Sequence, residues 1–74
     1  MDKKKILDKI DEICQSKEIS ISKLQRYFVI GFPRAARVMD SLCANKVVER
    51  IEYRYNILNV DALRDILIKN FIED

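Results

Sequence analysis

The sequence contains no histidine and no tryptophan, and it has only one glycine, one proline and two cysteines among its 74 residues. Without histidine or a glycine-rich phosphate loop, the usual general bases and nucleotide-binding motifs are missing. The separation of Cys14 and Cys43 fits no zinc or redox motif, so we expect two buried free thiols, with a disulfide as the alternative. The sequence therefore predicts a protein that is not an enzyme and that needs no metal and no cofactor.

Long apolar runs are also missing. No stretch approaches the roughly 18 apolar residues of a membrane span, and none follows the N-terminal lysines as in a secretion signal. Apolar residues make up 49% of the chain and charged residues 35%, which is the balance of a globular domain. We expect one small cytoplasmic domain with long regular elements and short loops.

The charge is unevenly distributed, although the formal net charge is only +2. Residues 22–54 carry seven basic and three acidic side chains, a net charge of +4, whereas residues 55–74 carry two basic and four acidic ones, a net charge of −2. The positive field of the central segment favours a polyanion as partner.

Apolar periodicity, capping residues and turn residues predict four helices and a small hairpin. The predicted elements are a helix over 3–16, either a connector or a strand of one to three residues over 17–19, helices over 21–28 and 33–45, a hairpin over 46–58 with its turn around 50–52, and a helix over 60–72. This order is that of a mainly α winged helix-turn-helix domain over residues 1–58. Residues 59–74 add a C-terminal amphipathic helix that packs on the same domain.

The turn between the second and third helices contains both punctuating residues of the chain. We expect Gly31 to take the left-handed conformation that ends the second helix, because glycine does so without steric cost. Pro33 suits the first turn of the third helix, where its missing N–H needs no partner. The short turn predicts that the two helices cross at a steep angle.

The third helix has one apolar and one polar face. At helical spacing, Ala35, Val38, Met39 and Leu42 lie on one side, and the opposite side carries the candidates for contacts to DNA bases, which are Arg34, Arg37, Asp40 and Ser41. Arginine can bind guanine through two hydrogen bonds, and a carboxylate can accept one from cytosine. The candidates for phosphate contacts are Ser22, Lys23, Gln25 and Arg26 on the second helix and Arg50 and Arg54 on the hairpin.

The last helix is apolar on more than one face. Val60, Leu63, Leu67 and Phe71 form the predicted inward stripe, and Ile66, Ile68 and Ile72 fall outside it. Either this helix is buried more widely than one face allows, or these isoleucines meet a partner, with a homodimer as the main candidate.

Residues 20–48 resemble the γ domain at the C-terminal end of the FtsK family of bacterial DNA translocases. The motif S-x-S-x-L-Q-R-x-F-x-I-G-[aromatic]-x-R-A-A-R-[aliphatic]-M-D-x-L is met without a gap from Ser20 to Leu42. The resemblance implies a winged helix that reads short, oriented motifs in double-stranded DNA and so directs translocation during chromosome segregation. It also implies a nucleoid-associated location and a Xer-type recombinase as a further partner.

The family's base-reading positions fall on Pro33, Arg37 and Asp40. Arg37 is unchanged and Asp40 keeps an acid, whereas Pro33 replaces the usual asparagine and removes a side chain able to pair with adenine. We therefore expect a changed target sequence. The added C-terminal helix and the absence of a motor favour a stand-alone protein over a translocase fragment. The alternatives to DNA reading are a protein-interaction winged helix, through recombinase docking or self-association, and a stand-alone transcriptional regulator.

Overall fold

The computed structural model describes residues 2–73. Met1, the first residue of the predicted winged-helix domain, and Asp74, the last residue of the predicted C-terminal segment, lie outside these residues. The elements are α1 (Lys3–Cys14), β1 (Glu18–Ile19), α2 (Ile21–Phe28), α3 (Phe32–Ala44), β2 (Val48–Ile51), β3 (Arg54–Ile57) and α4 (Val60–Phe71). This mainly helical architecture with a small antiparallel sheet confirms the predicted fold class. Helix ends differ from the predicted ones by one or two residues, as at Cys14, which ends α1 two residues early.

Side-chain caps begin α1, α2 and α4. The side chains of Asp2, Ser20 and Asn59 each accept a hydrogen bond from a backbone N–H in the first turn, at 2.8, 3.0 and 3.1 Å respectively. These bonds satisfy donors that have no partner within the helix. Helix α3 begins differently: Gly31 is its N-cap, no side chain caps it, and Pro33 occupies the first turn.

The left-handed residue after α2 is Val29 and not Gly31. Val29 has φ 53° and ψ 56°, and the N–H of Ile30 donates to the carbonyl of Gln25 at 3.2 Å. Gly31 has φ −75°. The prediction for Gly31 was wrong: α2 ends at Phe28, as predicted, but the left-handed residue follows it directly, two positions before the glycine. A β-branched residue rarely adopts this conformation, so the turn holds backbone strain at Val29.

The sheet has the order β1-β3-β2, with both pairs antiparallel. The predicted short strand before α2 is thus confirmed as β1. The hairpin turn lies at Glu52 and Tyr53, with Glu52 at φ 58°, which is slightly later than predicted. Ile51, Tyr53, Tyr55 and Ile57 alternate with polar residues, a pattern that predicts one half-buried strand face, but Tyr53 lies in the turn and is 77% exposed. Ile51 is also exposed, so this part of the predicted half-buried face was wrong.

The core draws on all four described helices and on the sheet. Its buried residues are Ile10, Ile13, Ile19, Leu24, Phe28, Ala35, Val38, Met39, Leu42, Val47, Val48, Leu63 and Leu67. The predicted inward face of α3 is confirmed in full. Within residues 2–73, no buried side-chain polar atom lacks a hydrogen-bond partner.

Helix α4 packs on the same core, and its burial corrects one prediction. Leu63 and Leu67 are fully buried, but Val60 is 45% exposed. Val60 is the first residue of α4, and its side chain tilts toward the N-terminus, past the end of the helix, rather than onto the layer below. The three isoleucines outside the predicted stripe, Ile66, Ile68 and Ile72, are partly buried against the core. The wider-burial alternative therefore accounts for much of the apolar surface of α4.

Candidate nucleic-acid interface

The exposed face of α3 carries the predicted base-reading side chains. Arg37, Asp40 and Ser41 are exposed, directly opposite the buried apolar residues of the same helix. The Nε of Arg37 donates to the carbonyl of Pro33 at 3.4 Å. This contact leads the side chain back along the helix toward its first turn. The helix therefore presents polar groups, with no large apolar side chain between them, along a rigid support.

Arg34 belongs to the same predicted set, but α4 engages its side chain. Its Nη2 donates to the backbone carbonyl of Asn70 at 3.0 Å, and its Cζ lies 5.1 Å from the ring centroid of Phe71. A shallow groove follows this junction, lined by Arg34, Arg37, Val38, Ser41 and Asn70. The C-terminal end of α4 thus borders the predicted base-reading face, a relationship that the sequence did not predict.

The predicted phosphate contacts of α2 are available to solvent. Ser22 and Arg26 are exposed, one helical turn apart, and Lys23 and Gln25 are half-exposed. The Nζ of Lys23 lies 5.9 Å from the ring centroid of Tyr27. Helix α2 packs beside α3, which carries the predicted base-reading residues, but Lys23 lies toward the sheet, in a hollow that Lys17, Glu18 and Asn56 also line.

The two arginines of the hairpin lie on opposite faces. Arg50 pairs with Tyr55 across the strands, on the face that Val48 and Ile19 turn toward the helices, whereas Arg54 pairs with Ile51 on the other face. The Nε of Arg50 donates to the carbonyl of Glu52 at 3.0 Å. Of the two arginines, Arg50 is thus the one on the side of the sheet that faces the helices.

Arg54 has partners of its own on the outer face. Its Nη1 lies 3.6 Å from Oε1 of Glu18, and its Cζ lies 5.8 Å from the ring centroid of Tyr53. Tyr53 is a further candidate for contact with nucleic acid. The sequence-based prediction missed it because it assigned Tyr53 to a strand. The signal available in the sequence was an aromatic residue that directly precedes Arg54, next to the predicted hairpin turn.

Residues able to bind a metal do not cluster in the part of the chain that the structure describes. No group of three or more histidine, cysteine or acidic residues there could hold a metal ion. Cys14 and Cys43 are free thiols and do not form the alternative disulfide. Both are half-buried, whereas the sequence predicted that they are buried. Burial raises the pKa of the Cys43 thiol, and the nearby charge of Asp40 raises it further. The thiol therefore stays protonated near neutral pH and is a poor nucleophile.

None of the helices between residues 2 and 73 has the length and apolarity needed to cross a bilayer.

The family model described as the Ftsk gamma domain matches residues 2–54. The matched residues run from α1 to the first residue of β3, so they include the whole helix-turn-helix and the hairpin turn. The resemblance seen in residues 20–48 is thereby confirmed and extended to α1. Helix α4 lies beyond the matched residues. Neither a curated protein nor a solved structure matches the chain.

Proposed function

We propose that this chain, which belongs to the FtsK γ domain family, is a non-catalytic module that binds double-stranded DNA and places α3 in the major groove. The family is generally DNA-binding. The observation that carries the proposal is the polar face of α3, where Arg37, Asp40 and Ser41 stand exposed above a fully buried apolar face. A helix of this kind can enter the major groove without burying apolar surface against base edges.

Arg37 is the principal base-reading residue in this proposal. An arginine donates two hydrogen bonds to O6 and N7 of guanine, which no other base accepts in the same way. Asp40 follows on the same face and can accept from N4 of cytosine, and Ser41 can serve either strand. Pro33 offers no polar side chain where the family usually has asparagine, so the target sequence differs from that of the family at one base pair.

Phosphate contacts fix the position of α3 but carry no sequence information. Ser22, Lys23, Gln25 and Arg26 supply them from α2, and Arg50 supplies one from the inner face of the hairpin. Arg54, which is paired with Glu18, contributes less. Because bound cations release counterions from DNA, the affinity falls steeply as the salt concentration rises.

The test first selects a duplex sequence from a random pool. Binding of the chain to this duplex is then measured by fluorescence anisotropy across a salt series. We expect the selected duplex to bind more tightly than a scrambled one, and Arg37→Ala to lose about 1–3 kcal/mol of that preference. Arg64→Ala is the matched control, because Arg64 is engaged with Asp11 between α1 and α4. An affinity that does not change with salt, or equal effects of the two substitutions, would overturn the proposal.

Protein interaction is the second candidate function, through recombinase docking or self-association. Val29 and Phe32 favour it, since they flank the α2–α3 turn and are 75% and 58% exposed. Self-association through Ile66, Ile68 and Ile72 has less support, because these side chains are already partly buried in the monomer. Sedimentation of the wild type, alone and mixed with a Xer-type recombinase, tests both forms. If the chain sediments as a monomer both alone and in the mixture, DNA binding is the only one of the two candidate functions that remains.

A further inference from the structure

Among the helices of residues 2–73, α3 is the one whose N-terminus has no side-chain cap. Its N-cap, Gly31, offers no side-chain acceptor, whereas α1, α2 and α4 each have one. Arg34 also places a positive charge in the first turn, where the helix macrodipole is already positive. The charge of Arg34 disfavours the first turn of the helix proposed to enter the DNA groove, and no side-chain cap at Gly31 offsets it.

The C-terminal end of α4 offsets the unfavourable charge of Arg34. The guanidinium of Arg34 donates to the carbonyl of Asn70, in the last turn of α4, and stacks over the ring of Phe71. The carbonyls of a last helical turn are unpaired acceptors at the negative end of the macrodipole, so a guanidinium there is favourable. Phe71 in turn stacks on Phe28 of α2, which is 8% exposed. Arg34 is thus tied to a ring that the core already holds.

We propose that Arg34 is a positioning residue, and that α4 sets the orientation of α3 on DNA through it. The proposal rests on the DNA-binding function proposed above and reassigns a residue that the sequence predicted to read bases. A guanidinium that stacks on Phe71 and bonds to Asn70 is directed toward α4 and away from a base edge. Helix α4, which lies beyond the residues matched by the family model, thereby acquires a function in recognition.

The first test needs no DNA. The N–H of Ala35 donates to the carbonyl of Gly31 at 3.1 Å and closes the first turn of α3. We expect Arg34→Ala and Phe71→Leu each to speed hydrogen exchange of this amide by about tenfold, and the double variant to add little to either. Asn70→Ala is the matched control, because it alters the same turn of α4 but retains both the carbonyl and the ring. Unchanged exchange in Arg34→Ala would overturn the proposal.

The second test uses the ratio of affinities for the selected and the scrambled duplex at one salt concentration. Arg34→Ala and Phe71→Leu should each lower this ratio by about tenfold, and the double variant should be no worse than either single one. Asn70→Ala should leave it unchanged. A role as base reader predicts a different result: Arg34→Ala relaxes one base pair only, and its loss adds to that of Phe71→Leu. That result would overturn the positioning role.

The wild-type measurement separates the two proposals. A wild type that binds neither duplex contradicts the DNA-binding function, and one that binds both equally contradicts base reading; in either case the role of Arg34 in recognition falls too. A wild type that discriminates, while Arg34→Ala acts independently of Phe71, contradicts the positioning role alone. Urea unfolding of each variant identifies any that is not folded, and Phe71→Tyr, which keeps the ring, should then show wild-type exchange and wild-type discrimination.

Discussion

The ring of Phe28 stacks on the ring of Phe71, with the centroids 4.0 Å apart and an angle of 3° between the planes. Phe28 ends α2, inside the residues that the family model matches, and Phe71 ends α4, outside them. This pair joins the helix-turn-helix to the additional helix and fixes where the last turn of α4 lies. The acceptor carbonyl of Asn70 is held beside Arg34 as a result.

Phe71→Ala should therefore destabilise the whole domain. The ring is half-buried, so we expect a loss of about 2 kcal/mol in the free energy of unfolding, below the value for a fully buried phenylalanine. Val60→Ala is the control on the same helix, because Val60 is 45% exposed and should cost less than about 0.5 kcal/mol. Urea unfolding measures both. Equal losses at the two positions would contradict the packing described for α4.

Val29→Gly should stabilise the protein. Val29 is left-handed at φ 53° and 75% exposed, so glycine relieves steric strain and gives up little packing. The greater freedom of glycine in the unfolded chain offsets part of this, and we expect a net gain of about 0.5–1 kcal/mol. Lys46→Gly, at φ 59° but without a branched Cβ, should gain less. Thermal unfolding of both variants decides the matter, and a destabilised Val29→Gly would show that the strain is absent.

The two arginines of the hairpin should differ in their effect on DNA binding. Arg50 lies on the face turned toward the helices, and Arg54 lies on the outer face beside Glu18. Arg50→Gln should make the negative slope of log affinity against log salt shallower by about 1, and Arg54→Gln should change it much less. The two variants carry the same charge, which makes each the control for the other. The opposite order of effects would place DNA on the outer face of the hairpin.

Local signals were sufficient to predict most of the fold. The predicted caps (Asp2, either Ser20 or Ser22, and Asn59), the proline in the first turn of α3 and the apolar face of that helix each depend on residues a few positions apart. The exposed positions of Arg37 and Asp40 follow from the same periodicity. Such features are set by short-range geometry, so the sequence displays them directly.

Features that depend on the meeting of distant segments were not predicted. The contact of Arg34 with Asn70 joins residues 36 positions apart, and no pattern within α3 indicates it. The exposure of Val60 depends on where α4 begins relative to the layer below. The conformation of Val29 has a local origin, but valine rarely adopts it. Gly31, two residues further along the chain, was the more favourable candidate for the left-handed conformation, so the sequence pointed to the wrong residue.

The claim that Arg37 reads a guanine in the major groove is tested most directly by 7-deazaguanine. This base lacks the N7 acceptor and keeps its Watson–Crick pairing, so it removes one of the two bonds that arginine makes. Placed in turn at each guanine of the selected duplex, it should weaken wild-type binding about tenfold at one position and should have no effect there on Arg37→Ala. If no position shows this loss, or if Arg37→Ala shows it equally, Arg37 does not read a guanine through the major groove.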